Sequence, residues 1–171
     1  MTRFGYFIVT YLMALFVIVT WIFRPAPRLL WNASPSVPVG LYAMAHLDTL
    51  APGDLVAVKP PETLARYMAE RHYLPLGLPL IKHVGALPGQ TICRRGLVIS
   101  VDGRPVAAAQ RHDHNRRTMP AWNGCHVIHP NEVFLLNASV PASFDGRYFG
   151  VLSATAILGR AVPLWIQGQT I

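Results

Sequence analysis

The chain has 171 residues, of which 52% are hydrophobic and only 13% charged, with 15 Lys+Arg against 8 Asp+Glu and a formal charge of +7. A water-soluble domain carries about 25% charged residues, so part of this chain is composed for lipid. The basic residues fall in scattered pairs such as Arg94-Arg95 and Arg116-Arg117 with no interleaved aromatics, which argues against nucleic acid as the partner.

The lipid-like part comes first. Gly5–Phe23 reads GYFIVTYLMALFVIVTWIF, without a charge or a proline. At ~1.5 Å per residue it covers about 28 Å, close to the roughly 30 Å hydrocarbon core of a bilayer. A cleaved signal peptide would have a shorter apolar run and a small-x-small site after it. Here Trp21-Ile22-Phe23 is bulky and Arg24-Pro25-Ala26-Pro27-Arg28 is a poor site. The expected division is therefore a tail over residues 1–4, a transmembrane anchor over 5–23 and one domain over 24–171. Arg3 precedes the span while Arg24 and Arg28 follow it. By flanking charge alone, the body would stay in the cytoplasm.

Residues 24–33 form a proline-rich, stiff connector. Beyond it, short apolar runs between turn residues predict strands at Val39–Met44, Leu55–Val58, Pro79–Leu87, Leu97–Val101, Val127–Ile128, Val133–Leu136 and Ala156–Leu164. Asp102-Gly103 tolerates the positive φ of a tight hairpin turn. Pro61–Tyr73 is the single soluble helix candidate, with Leu64, Tyr67, Met68 and Arg71 at helical spacing. This pattern predicts a compact, mainly β domain with closed or covered edges.

Three segments carry chemistry. In Asn32-Ala33-Ser34-Pro35-Ser36-Val37-Pro38, prolines fix the backbone around two serines. Ser36 is thereby presented rigidly, with the Ser34 hydroxyl near its backbone N–H. The plain alternative is a solvated linker. Lys82 lies in the apolar run Leu80–Leu87, and Lys59 is the only other lysine of the chain. Burial disfavours an ammonium, and a neutral amine can take a proton from a serine hydroxyl. The alternative is a lysine on the wet face of an edge strand. In Ser143-Phe144-Asp145-Gly146-Arg147, an extended chain would put Asp145 and Arg147 on one side as a pair, or as a surface ion pair of little consequence.

Ser-x-Pro-x-Gly-Leu-Tyr from Ser36, Ile-Lys-x-Val-x-x-Leu-Pro-Gly from Ile81, and Ser-Phe-Asp-Gly-Arg-Tyr-Phe-Gly from Ser143 occur in that order. Together they resemble the type I signal peptidase family, most closely its TraF-like branch from conjugative transfer systems. The likeness runs from about Asn32 to about Trp165, plus the anchor. It implies a signal-peptidase-like β domain behind one membrane helix, and a serine endopeptidase needing no cofactor or metal. Ser36 would be the nucleophile, Lys82 the general base and Ser34 an oxyanion donor. Ser143 would orient the lysine, Arg147 would support the site, and Asp145 would take part more directly in catalysis. The implied substrate is a pilin precursor for a type IV secretion system. The implied location is the bacterial inner membrane with the catalytic domain in the periplasm, against the arginine count.

This chain departs from the general family in having Ser-Val-Pro where signal peptidases have Ser-Met-x-Pro, His83 after the lysine, and a Gly-Asp-Asn block reduced to Leu136-Asn137. These departures favour a dedicated substrate over general signal-peptide removal. The helix at Pro61–Tyr73, between the serine and lysine segments, is expected to shape the substrate groove. A zinc hydrolase using His112, His114, Cys125, His126 and His129 lacks the usual ligand spacing. A non-catalytic membrane-tethered scaffold remains as an alternative. Cys93 and Cys125 are either a disulfide, as an oxidising compartment allows, or two separate thiols.

Overall fold

The computed structural model describes residues 2–23 and 28–168. Helix α1 (Arg3–Phe23) starts two residues before the expected span, and Arg3–Ile22 is long and apolar enough to cross a membrane. The described chain resumes with strands β1 (Leu29–Asn32), β2 (Gly40–Ala45) and β3 (Leu55–Val58), followed by helix α2 (Glu62–Glu70). Strands β4 (Leu80–Ala86), β5 (Thr91–Arg95), β6 (Val98–Val101), β7 (Arg104–Ala108), β8 (Gly124–Val127) and β9 (Glu132–Leu135) come next. A short helix α3 (Gly146–Phe149), strand β10 (Val151–Ser153), a 3-10 turn at Ala154–Ala156 and strand β11 (Ile157–Ile166) complete it.

The strands form two antiparallel sheets. The larger runs β1-β2-β11-β3-β4-β9-β10 and the smaller β7-β6-β5-β8. Val56, Val58, Leu80, Val84, Val133 and Leu135 alternate toward a core that also takes Met68 of α2 and Phe144. Ile92, Ile99, Ile128 and Phe134 pack a second core between the sheets. Val37, Tyr42, Ile81, Ala161 and Ile166 form a third, on the other face of β4.

The sequence-based reading differs from this fold at particular places. Leu29–Asn32 belong to the expected connector but pair with β2 in register Leu30↔Tyr42. Residues 24–27 of that connector lie outside the described residues. Strands β5, β7 and β10 are missing from the expected set because Arg94, Arg95 and Arg104, or a length of three residues, break the apolar pattern. The strand expected at Val127–Ile128 runs Gly124–Val127, set by pairing Thr91–Arg94 rather than by hydrophobicity. Helix α2 stops at Glu70, short of Tyr73, because His72 adopts φ 58 and turns the chain back. The hairpin at Asp102 (φ 49) and Gly103 (φ 78) forms as its sequence requires.

Gly40 explains one of the motif glycines. A Cβ there would fall inside contact distance of the Trp165 carbonyl oxygen, so only glycine lets β2 and β11 close at that point. On the outer surface, the rings of Trp31 and Trp165 stack with centroids 5.7 Å apart.

Cys93 and Cys125 face each other across β5 and β8 and are joined as a disulfide. Closing a loop of that size constrains the unfolded chain by about 3–4 kcal/mol. The double variant Cys93→Ser/Cys125→Ser is therefore expected to melt well below the wild type. Dithiothreitol should lower the wild-type midpoint to match. A midpoint indifferent to reductant would mean that the bond does not hold the small sheet together.

Candidate active site

Lys82 sits on β4, flanked on both sides by β3 and β9 and opposite Val56. Period-two alternation puts it on the same face as Leu80 and Val84, which belong to the main core. The lysine is consequently in the interior of the sheet, not on a wet edge, and only 3% exposed. Burial pulls its pKa from 10.5 down to about 8, while Asp145 raises it and Arg147 lowers it. Its Nζ lies 2.9 Å from Ser36 Oγ and 2.9 Å from Ser143 Oγ. An ammonium would donate to both hydroxyls, whereas a neutral amine can donate to Ser143 and accept from Ser36. Lys59 is exposed and lies outside this group.

Ser34 and Ser36 are held by an asparagine that sequence reading did not single out. Asn32 Nδ2 donates to the carbonyls of Ser34, Val37 and Pro38, and Asn32 Oδ1 accepts from the Ser34 N–H. Tyr42 Oη donates to Pro38 O at 2.6 Å. The turn is thus clamped through its own carbonyls. Ser34 Oγ donates to Ser36 Oγ at 3.1 Å and receives the Ser36 N–H only at 3.4 Å, which leaves that N–H weakly engaged.

A second asparagine joins the two halves. Asn137, 1% exposed, donates from Nδ2 to Ser36 O at 2.8 Å. Its Oδ1 accepts from His83 N at 3.0 Å and from His83 Nδ1 at 2.9 Å. The serine loop and the lysine strand are therefore registered against one amide. The signal for it was present in Leu136-Asn137, the residue of the reduced block, directly after the apolar run Val133–Leu136.

Asp145 and Arg147 pair, but not along an extended strand. Asp145 is the N-cap of α3 and accepts from the Arg147 N–H. Its Oδ1 also accepts from Arg147 Nε, and its Oδ2 from Arg147 Nη2 and the Asn137 N–H. The pair is buried, with side-chain exposures of 1% and 0%, unlike the surface ion pair weighed above. Both carboxylate oxygens are occupied, so Asp145 makes no hydrogen bond to Lys82 or Ser36 among the described residues. Asp145 stands as a charge behind the lysine and braces Arg147 and Asn137. Arg147 in turn donates to the carbonyls of Ala108, Asn137, Val140 and Ser143, fixing the loop that presents the Ser143 hydroxyl. Gly146 permits this, since a Cβ there would collide with Phe134 and the Leu135 carbonyl.

The two hydroxyls and the amine line a cleft of about 550 Å³. One wall is apolar, from Met68, Leu74, Met119 and Phe144, and the rim carries His72, His112 and His114. Met68 belongs to α2, so the helix between the serine and lysine segments does line the groove. Cys125 is consumed by the disulfide and is unavailable as a metal ligand.

A hydroxyl and a buried amine in hydrogen-bond contact thus line one cleft on a β scaffold. The sequence profile of the signal peptidase family, peptidase S26, matches residues 1–166, and the chain belongs to that family. It is 39% identical over 140 residues to a probable conjugal transfer protein TraF of Sinorhizobium fredii, covering 76% of this chain and 73% of that protein. A conjugal transfer protein TraF of Agrobacterium fabrum is 37% identical over 144 residues, with 78% and 80% covered. A probable signal peptidase I-1 of Synechocystis is 27% identical over 117 residues, with 68% and 55% covered. The profile match and these relatives together make the chain a peptidase-like relative of the TraF proteins.

The depressed lysine has a thermodynamic signature. Above pH 8 the folded chain gives up the Lys82 proton, while the unfolded chain keeps it until about 10.5. In that window the unfolded state binds more protons, so this group makes unfolding free energy rise with pH, by at most about 1.4 kcal/mol per unit. Urea unfolding at pH 8 and pH 10 should show this rise in the wild type relative to Lys82→Met. Parallel slopes would mean that Lys82 is not desolvated.

Proposed function

We propose that this chain is a membrane-anchored serine endopeptidase in which Ser36 is the nucleophile and Lys82 the general base, acting on a pilin precursor of a conjugative type IV secretion system. The contact that carries this reading is the buried Lys82 amine, 2.9 Å from the hydroxyls of both Ser36 and Ser143, with its pKa lowered to about 8. At neutral pH a usable fraction of such an amine is already neutral. An ordinary lysine at ~10.4 would be almost wholly charged.

Neutral Lys82 takes the Ser36 proton as Oγ attacks the scissile carbonyl. The tetrahedral oxyanion is met by the weakly engaged Ser36 N–H and by the Ser34 hydroxyl. The resulting ammonium returns its proton to the leaving amine, and the C–N bond breaks to leave an acyl-enzyme on Ser36. Water resolves it to a trimmed chain, or a substrate amine resolves it to a new amide, which closes a ring if that amine is the pilin's own terminus. Ser143 keeps an N–H of the lysine engaged, so that the lone pair faces Ser36. Asp145 and Arg147 support the loop.

The proposed location is the inner membrane with the β domain in the periplasm. The apolar helix α1 and the Cys93–Cys125 disulfide favour an anchored protein facing an oxidising compartment. The pilin reading draws on relatives that carry the name conjugal transfer protein TraF.

Co-expression with the pilin precursor, read by intact mass spectrometry, tests the dyad. The wild type is expected to trim the precursor, while Ser36→Ala and Lys82→Ala leave it full-length. A product one water lighter than the trimmed linear chain would mark ring closure. Trimming by both variants would sink the dyad and leave the scaffold reading. The rate should climb with pH through about 8 as Lys82 loses its proton, then level off. Asn137→Ala should lower kcat by about 10²-fold with little change in KM, because it misplaces the serine loop without touching the groove. An unchanged kcat would show that Asn137 is not what registers the two segments.

A further inference from the structure

Outside the cleft, one group of three possible metal ligands occurs among the described residues: His126, His129 and Glu132, with one donor atom from each lying within 4.8 Å of the others. We propose that they form a surface site for a single divalent transition-metal ion of the zinc type, which clips the joint between the two sheets. This is not the zinc hydrolase weighed from the sequence, which drew also on His112, His114 and Cys125 and gave the metal a catalytic role.

The chain runs from β8 of the small sheet into β9 of the large one through Ile128–Asn131, and the ligands stand at both ends of that crossing. His126 lies on β8 opposite Ile92, and Glu132 opens β9 opposite Ser153. Ile128 between them is 1% exposed. Its N–H donates to Gln90 O at 2.9 Å, and its carbonyl accepts from Gly89 N at 2.9 Å. Asn131 O accepts from the Ala154 N–H at 2.7 Å, and Glu132 N donates to His129 O at 2.9 Å. The crossing is therefore fixed before any ion arrives, and the disulfide at Cys125 pins the residue beside the first ligand. Little ordering entropy remains to oppose binding.

The donors already converge. His126 Nε2 is 2.7 Å from Glu132 Oε2, which also accepts from the His129 N–H at 2.9 Å, and the two imidazole rings meet edge-on with centroids 5.3 Å apart. Tetrahedral bonds of ~2.0–2.1 Å place ligand atoms about 3.3 Å apart, so the group needs only side-chain rotation to close. Two imidazoles and a carboxylate suit zinc, copper or nickel, and exclude magnesium or calcium as the natural occupant. Half-exposed side chains leave the fourth position to water. Binding takes the His126 tautomer that carries its proton on Nδ1, so that Nε2, which faces Glu132, holds the ion. The ion then joins β8 to β9 directly.

The test uses the tag-free full-length chain in detergent micelles, titrated with zinc chloride in a calorimeter and with cobalt chloride in a spectrophotometer. The expected result is one equivalent bound, a tetrahedral cobalt spectrum, and a wild-type midpoint raised by zinc. His129→Ala, an exposed residue, and Glu132→Gln should each weaken binding by at least the roughly tenfold that loss of even an outer-shell partner costs. The cleft variant His112→Ala/His114→Ala should bind as the wild type does. Equal binding by the wild type and His129→Ala would overturn the site, as would loss of binding in the cleft variant. A zinc-induced rise in midpoint that persists in His129→Ala would overturn the clip.

Discussion

Everything about this domain follows from the placement of one amine out of water. A lysine on the core face of an inner strand is held against its preference for solvent, and each unit of pKa depression stands for about 1.4 kcal/mol of differential interaction. Neighbouring charge is not what sets the result. Asp145 pushes the value up and Arg147 pushes it down, and because they form a pair their fields oppose each other at Nζ. Desolvation is left as the leading cause. The partners supplied to the amine are two neutral hydroxyls rather than a carboxylate, and a carboxylate in contact would have restored the charge.

The buried ion pair answers a different need. Taking Asp145 and Arg147 out of water costs several kcal/mol per ion before their attraction is counted. What the molecule gains is order in a stretch without sheet pairing. Residues 137–143 have no strand partner, yet their carbonyls need donors, and one guanidinium supplies three of them. The planar fork of arginine suits this work, and a lysine at position 147 would offer a single point instead. Arg94 extends the same logic by donating to the Arg147 carbonyl from the neighbouring sheet.

The sequence revealed the candidate site side chains more readily than their supports. Ser36, Lys82 and Ser143 were legible through three motifs read together in chain order, since each local pattern alone also allowed a plain alternative. Asn32 and Asn137 look like ordinary turn residues, and what they do depends on carbonyls far away in the chain. The strands were legible where side chains alternate, as at Leu80–Ala86. They were hidden where arginines interrupt the apolar pattern, as in β5 and β7, since there the pairing partner decides and not the residues themselves. Asp145 and Arg147 were paired correctly on a mistaken backbone, because an N-cap followed by a single helical turn leaves no periodic trace.

The order of strands also bears on timing. The sheet carries its serine-bearing part, β1 and β2, and its lysine-bearing part, β3 and β4, on either side of β11, and no strand of one part pairs with a strand of the other. β11 comes later in the chain than either part, so the strand that seats the serine segment beside the lysine is made after both. Non-local closure of this kind is slow compared with hairpin formation. A chain stopped short of β11 keeps side-chain links such as Asn137 between the two parts but lacks the strand that pairs with both. The contact between Ser36 and Lys82 is thus secured only once β11 has been made and has paired on both of its edges.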